Sequence, residues 1–129
     1  MDAQQIFDTV VRHLHQQGGP ALEDGRCQYR TADGLKCAVG CLIPDEIDPY
    51  EVENLSDGCD SPRFRSWARD HELIDLVVHS DLLADLQGAH DGHTFSGLDL
   101  ALCRIAARRG LSSDVLDGLD WTGWGFKLT

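Results

Sequence analysis

The sequence predicts a mainly α fold, five or six helices in one compact bundle with a small two-stranded β ribbon. Three observations carry this. Apolar side chains recur at helical spacing through most of the chain. Those stretches begin at capping residues and stop at glycine or proline. Two short segments, residues 25–31 and 124–128, instead alternate as half-buried strands do.

Taken in order, Ile6, Phe7, Val10, Val11 and Leu14 give the buried face of a helix over residues 3–17, with Asp2 and Gln5 as a capping box and Gly18-Gly19-Pro20 as its stop. Cys27, Tyr29 and Thr31 then fall on one side of a short strand, whose expected partner is the alternating segment 124–128. Leu35, Ala38, Val39, Leu42 and Ile43 lie at i, i+3, i+4, i+7 and i+8, so residues 31–44 are expected to form a central helix between Asp33 and Pro44. Gly40 inside it costs about 1 kcal/mol against alanine, which points to close packing with a neighbouring element. Asp48-Pro49-Tyr50-Glu51 carries the cap, proline and acid of a short helix, and residues 55–61 read as a loop. Ser61-Pro62 starts a helix burying Phe64, Trp67 and Ala68. Leu73, Ile74, Leu76, Val77 and Val78 are dense enough to predict burial on more than one face. Ser80 caps a helix with Leu82, Leu83 and Leu86, ending near Gly88 and leaving residues 89–93 as a loop. Leu98, Ala101, Leu102, Ile105 and Ala106 form the next helix, closed by Gly110, and residues 112–118 hold one more turn. The whole is expected to be a single domain over residues 1–129, a helical body to residue 111 and an aromatic tail packing on it.

The 129 residues suffice to bury about two-thirds of the unfolded surface. No run of about 18 apolar residues is present, so no membrane span is expected. The first residues lack the basic start and apolar centre of a signal peptide, and five cysteines are an odd number, so free thiols in a cytoplasm are expected. The net charge of −11 is uneven. Residues 44–60 hold Asp45, Glu46, Asp48, Glu51, Glu53, Asp57 and Asp60 with no lysine or arginine, while the arginines gather at 63, 65 and 69 and at 104, 108 and 109. Such a field disfavours direct nucleic-acid binding and favours a basic protein partner.

Cys27-Gln-Tyr-Arg, followed by Asp33-Gly-Leu-Lys-Cys-Ala-Val-Gly-Cys-Leu-Ile-Pro-Asp-Glu46, resembles a family of small bacteriophage and prophage proteins. The resemblance continues through Asp81-Leu-Leu-Ala-Asp-Leu-Gln-Gly-Ala-His-Asp91 and Ile105-Ala-Ala-Arg-Arg-Gly-Leu111, with Leu98 where a tryptophan is expected and with the segment 121–129 added. It implies a phage origin and a host bacterial cytoplasm, and carries no activity with it.

The charge, with analogy to other phage proteins, leads to the expectation of a small acidic protein that binds a host protein, as an anti-defence inhibitor of the anti-CRISPR kind. Asp45, Glu46, Asp48, Tyr50, Glu51 and Glu53 would form its contact surface, with Trp124 from the aromatic tail. The alternative is a small cysteine-dependent hydrolase or transferase. Cys37, at the start of the expected central helix, would be its nucleophile, with His90 as base and Asp91 as orienter. Cys37 and Cys41 at i, i+4, with Cys27 and either His90 or His93, could also hold zinc, but the CxxC knuckle is absent. The sequence therefore assigns no metal and no cofactor, and it leaves the oligomeric state open.

Overall fold

A computed structural model describes residues 1–53, 58–94 and 96–125. Five α-helices form the bundle: α1 (Ala3–Gln17), α2 (Pro62–Asp70), α3 (Ile74–Val78), α4 (Ser80–Gly92) and α5 (Leu98–Arg109). A two-stranded antiparallel ribbon, β1 (Leu22–Glu23) and β2 (Arg26–Cys27), follows α1. Helix α1 packs on α4, α4 on α5 and α3, and α2 on α3. The core between them includes Phe7, Val10, Leu14, Phe64, Leu83, Leu86, Leu102 and Ile105.

The helix ends follow from the local sequence. Asp2 accepts the amide of Gln5, and the Gln5 side chain accepts the amide of Asp2, closing a capping box. Gly18 ends α1 at φ 81°, and its N–H reaches the Leu14 carbonyl. Ser61 caps α2 with Pro62 in the first turn, and Gly110 ends α5 in the left-handed region.

The ribbon differs from the expected one. Asp24 and Gly25, at φ 54° and 77°, make a tight turn that folds Leu22 back onto Cys27 and Glu23 onto Arg26. Two consecutive positive φ values suit the right-handed twist of a hairpin. Cys27 therefore pairs with the residues just before it. Of the segment expected to pair with it, 126–128 lies outside the described residues. The described part of that tail instead caps α1: Gly125 N–H reaches Gly18 O at 2.9 Å, and Trp124 Nε1–H reaches Leu14 O at 2.7 Å.

The expected central helix is absent. Residues 30–44 contain a bridge between Arg30 and Lys36 and one 3-10 turn, Gly40–Leu42. Cys37, Ala38 and Val39 are all fully buried, which one face of an amphipathic helix cannot achieve with three successive residues. The segment runs through the interior as irregular chain, and its backbone groups find partners outside a helix. Gln17 accepts Lys36 N–H and donates to Lys36 O, His13 Nε2 meets the same carbonyl at 2.9 Å, and Gln87 accepts Val39 N–H. Arg30 donates to the carbonyls of Ile47 and Pro44. Gly40 is where the close approach occurs: a Cβ there would lie 1.8 Å from the Tyr29 carbonyl oxygen.

Two further expectations change. The apolar segment after Leu73 becomes the five-residue α3, in which Leu76 is buried while Ile74 and Val78 face solvent. Helix α4 continues past Gly88 to Gly92, so His90 and Asp91 belong to its last turn and not to a loop. No helix among the described residues is long and apolar enough to cross a membrane.

Candidate functional site

Where the end of α4 meets the ribbon, Cys27, His90 and Asp91 bring a sulfur, an imidazole nitrogen and a carboxylate oxygen within 4.8 Å of one another. Helix α4 supplies two of the three groups as neighbours in its last turn, and β2 supplies the sulfur. The Asp24-Gly25 turn matters here because it brings Cys27 beside Leu22, and through it beside Ala21. Ala21 in turn is tied to His90.

His90 is fully buried, and both of its ring nitrogens have partners. Nε2 accepts the backbone N–H of Ala21 at 3.1 Å, so the ring proton belongs on Nδ1, which donates to Asp91 Oδ1 at 2.7 Å. Gln87 Nε2–H reaches the same Oδ1 at 2.8 Å. The Asp91 side chain is 45% exposed, so the carboxylate stands between a buried imidazole and solvent. Partial burial opposes its charge; the hydrogen bond from His90, with the nearby Cys27 thiol and the hydrogen bond from Gln87, outweighs that and holds the carboxyl below its usual range.

Cys27 is half-buried, and its sulfur lies beside the Asp91 carboxylate. Burial, then the nearby charge of Asp91, pushes this thiol up to about 12. The sulfur therefore holds its proton at neutral pH. The order of groups is thiol, carboxylate, imidazole. In a cysteine protease arrangement the imidazole stands in the middle and takes the thiol proton. Here the carboxylate occupies that place. Its charge is also felt by Tyr29, Cys37 and Cys59, each raised chiefly by burial.

Cys37 does not join this arrangement as a nucleophile. It is fully buried, its sulfur accepts the Gly40 N–H at 3.2 Å, and burial pushes its thiol well above the ordinary value. The helix N-terminus that was to lower that value does not form. Of the residues considered for zinc, Cys41 donates to the Ala38 carbonyl and His93 Nδ1 meets the Ala89 carbonyl, so neither turns toward Cys27. Sequence reasoning named Cys27, His90 and Asp91, but never as one set. The signal that could have joined them is the Asp-Gly turn at 24–25.

The acidic lobe is divided in its roles. Tyr50 is 80% exposed on the turn Pro49–Glu51, and Glu46, Asp48 and Glu51 are exposed around it. Asp48 also caps that turn by accepting Tyr50 N–H. Asp45 pairs with Lys36 at 2.5 Å. Glu53 faces inward and accepts the Tyr29 N–H at 2.7 Å. Trp124 is buried against α1, which leaves its ring outside any contact surface.

No family model matches the chain, and neither a curated protein nor a solved structure is similar to it.

Proposed function

We propose that the chain works through Cys27, as a small cysteine-dependent hydrolase or transferase whose other working residues are Asp91 and His90. The observation that supports this reading is the convergence of three reactive groups from α4 and the ribbon, one of them half-exposed. His90 is a positioning residue: its ring is fixed by Ala21 and fixes Asp91 in turn. Asp91 governs the proton on sulfur. Because the resting group is a thiol, its attack on an ester or thioester carbonyl breaks the bond to the alcohol or thiol, which departs with the sulfur's proton, and water then hydrolyses the acyl–sulfur bond; a preformed thiolate does not wait in the site. A panel of activated esters and thioesters tests this. Cys27→Ser and Asp91→Asn should abolish turnover, and Cys37→Ala should leave turnover per folded molecule unchanged. Turnover that survives Cys27→Ser ends the reading.

A second reading rests on Tyr50. A tyrosine so exposed, ringed by carboxylates, has the composition of an anchor for a basic protein surface. The resemblance to phage proteins supports a host protein in a bacterial cytoplasm as that partner, and an anti-defence role. Salt-dependent binding tests it.

A further inference from the structure

We infer that Cys27 and Asp91 form a binding site for a thiophilic divalent cation of the zinc class, with His90 supporting Asp91 from behind; this rests on the same cluster as the reading above, with the sulfur as a ligand in place of a nucleophile. The ligand atoms lie within 4.8 Å of one another. A zinc-class ion takes sulfur at about 2.3 Å and carboxylate oxygen at about 2.0–2.2 Å, so one ion spans a separation of that order. One soft and one hard anionic ligand select this class over magnesium or calcium, which take oxygen alone.

The hydrogen bonds assign the roles. Both His90 and Gln87 donate to Oδ1 of Asp91, so neither occupies Oδ2. Direct ligation by His90 Nδ1 would require the ring proton to move to Nε2. It would then confront the Ala21 N–H at 3.1 Å, two donors facing each other inside the core. His90 therefore stays outside the coordination shell, as the group that orients a ligating carboxylate.

Charge completes the argument. As the metal–sulfur bond forms, the Cys27 thiol releases its proton to solvent, and thiolate plus carboxylate balance the two positive charges of the ion. The cation takes the place of the sulfur's proton. Half-exposure of Asp91 leaves the remaining coordination positions to water or substrate.

Cobalt(II) reads the site directly, because a thiolate on cobalt gives near-ultraviolet charge-transfer absorption. The full chain carrying Cys103→Ser, which removes the exposed thiol, would be titrated under a reductant that contains no thiol. One saturable band is expected, lost in Cys27→Ser and requiring about tenfold more cobalt or beyond in Asp91→Asn. Circular dichroism confirms that each variant is folded. No band at millimolar cobalt, or a band that persists in Cys27→Ser, overturns the site. Nitrogen-15 NMR should show the His90 ring proton on Nδ1 before and after cobalt; its transfer to Nε2 would overturn the supporting role. Ester turnover is scored apart. Cys27-dependent turnover without a cobalt band removes the metal and keeps the cysteine reading, and a Cys27-dependent band without turnover does the reverse.

Discussion

Nε2 of His90 accepts the backbone N–H of Ala21 at 3.1 Å, and both residues are fully buried. This bond joins the last turn of α4 to the residue that opens the ribbon, and so sets where Cys27 lies relative to Asp91. Replacing the ring with an apolar side chain leaves the Ala21 N–H without a partner in the core. His90→Leu should cost about 1–3 kcal/mol from that orphaned donor, with a further contribution from the changed shape. Urea denaturation of the variant measures it. A midpoint unchanged from the parent would show that the bond is not maintained in solution.

Gly40 offers a sharper test of the interior segment. A Cβ at this position would sit 1.8 Å from the Tyr29 carbonyl oxygen and 2.7 Å from its carbon, both backbone atoms that cannot swing aside. Gly40→Ala should therefore reach the top of the ~1–3 kcal/mol range for overpacking, or exceed it. In an exposed helix the same change would stabilise by up to about 1 kcal/mol. Thermal or urea unfolding tells the two apart by sign alone.

Gly40 also shows how far the sequence could be read. Its demand for close packing was legible, but the element holding it was not. Leu35, Ala38, Val39, Leu42 and Ile43 satisfy helical spacing, yet a chain buried on all sides shows apolar residues at any spacing one looks for. What decided the conformation lies far away in sequence: Gln17, His13 and Gln87 satisfy this segment's backbone, and no local pattern reveals them. Helices α1, α2 and α5 were legible because their caps and their apolar faces agree. For the site, His90 and Asp91 were recognised as chemically interesting neighbours. Their sulfur was assigned to Cys37 because a helix start was expected there, and the hairpin at Asp24-Gly25 was passed over.

His13 gives the stability a pH dependence. Burial is the main force lowering its pKa from the ordinary 6.5, with the nearby charge of Lys36 adding to it and the hydrogen bond to the Lys36 carbonyl opposing it. Below pH 6.5 the unfolded chain takes up a proton here that the folded chain resists. The contribution of His13 is thus fully present above that value and is lost as pH falls through the folded pKa. Unfolding free energy should decline as pH falls below about 6.5. In His13→Gln, which can still donate to Lys36 O, that decline should be shallower. An identical slope in parent and variant would assign the effect elsewhere.

The acidic lobe separates a contact surface from a structural carboxylate two residues apart. Glu51 is exposed beside Tyr50, whereas Glu53 turns inward to accept the Tyr29 N–H at 2.7 Å. Burial raises the Glu53 carboxyl above its usual value, with that backbone bond opposing the shift. Glu51 and Glu53, both expected on one contact surface from sequence, therefore part company. Glu51→Lys should change stability by no more than about 0.5 kcal/mol, since nothing in the fold relies on it. Glu53→Lys should cost about 1–3 kcal/mol, because it removes the acceptor of a part-buried amide and puts a cation in its place. If the lobe meets a basic host surface, Glu51→Lys should slow association and flatten its fall with rising salt, while Tyr50→Ala should mainly speed dissociation. Stopped-flow binding to a partner captured on the immobilised chain reads both rates. Association indifferent to salt and to Glu51→Lys would leave the carboxylates around Tyr50 as a solvated face, and Cys27 as the place where the chain acts.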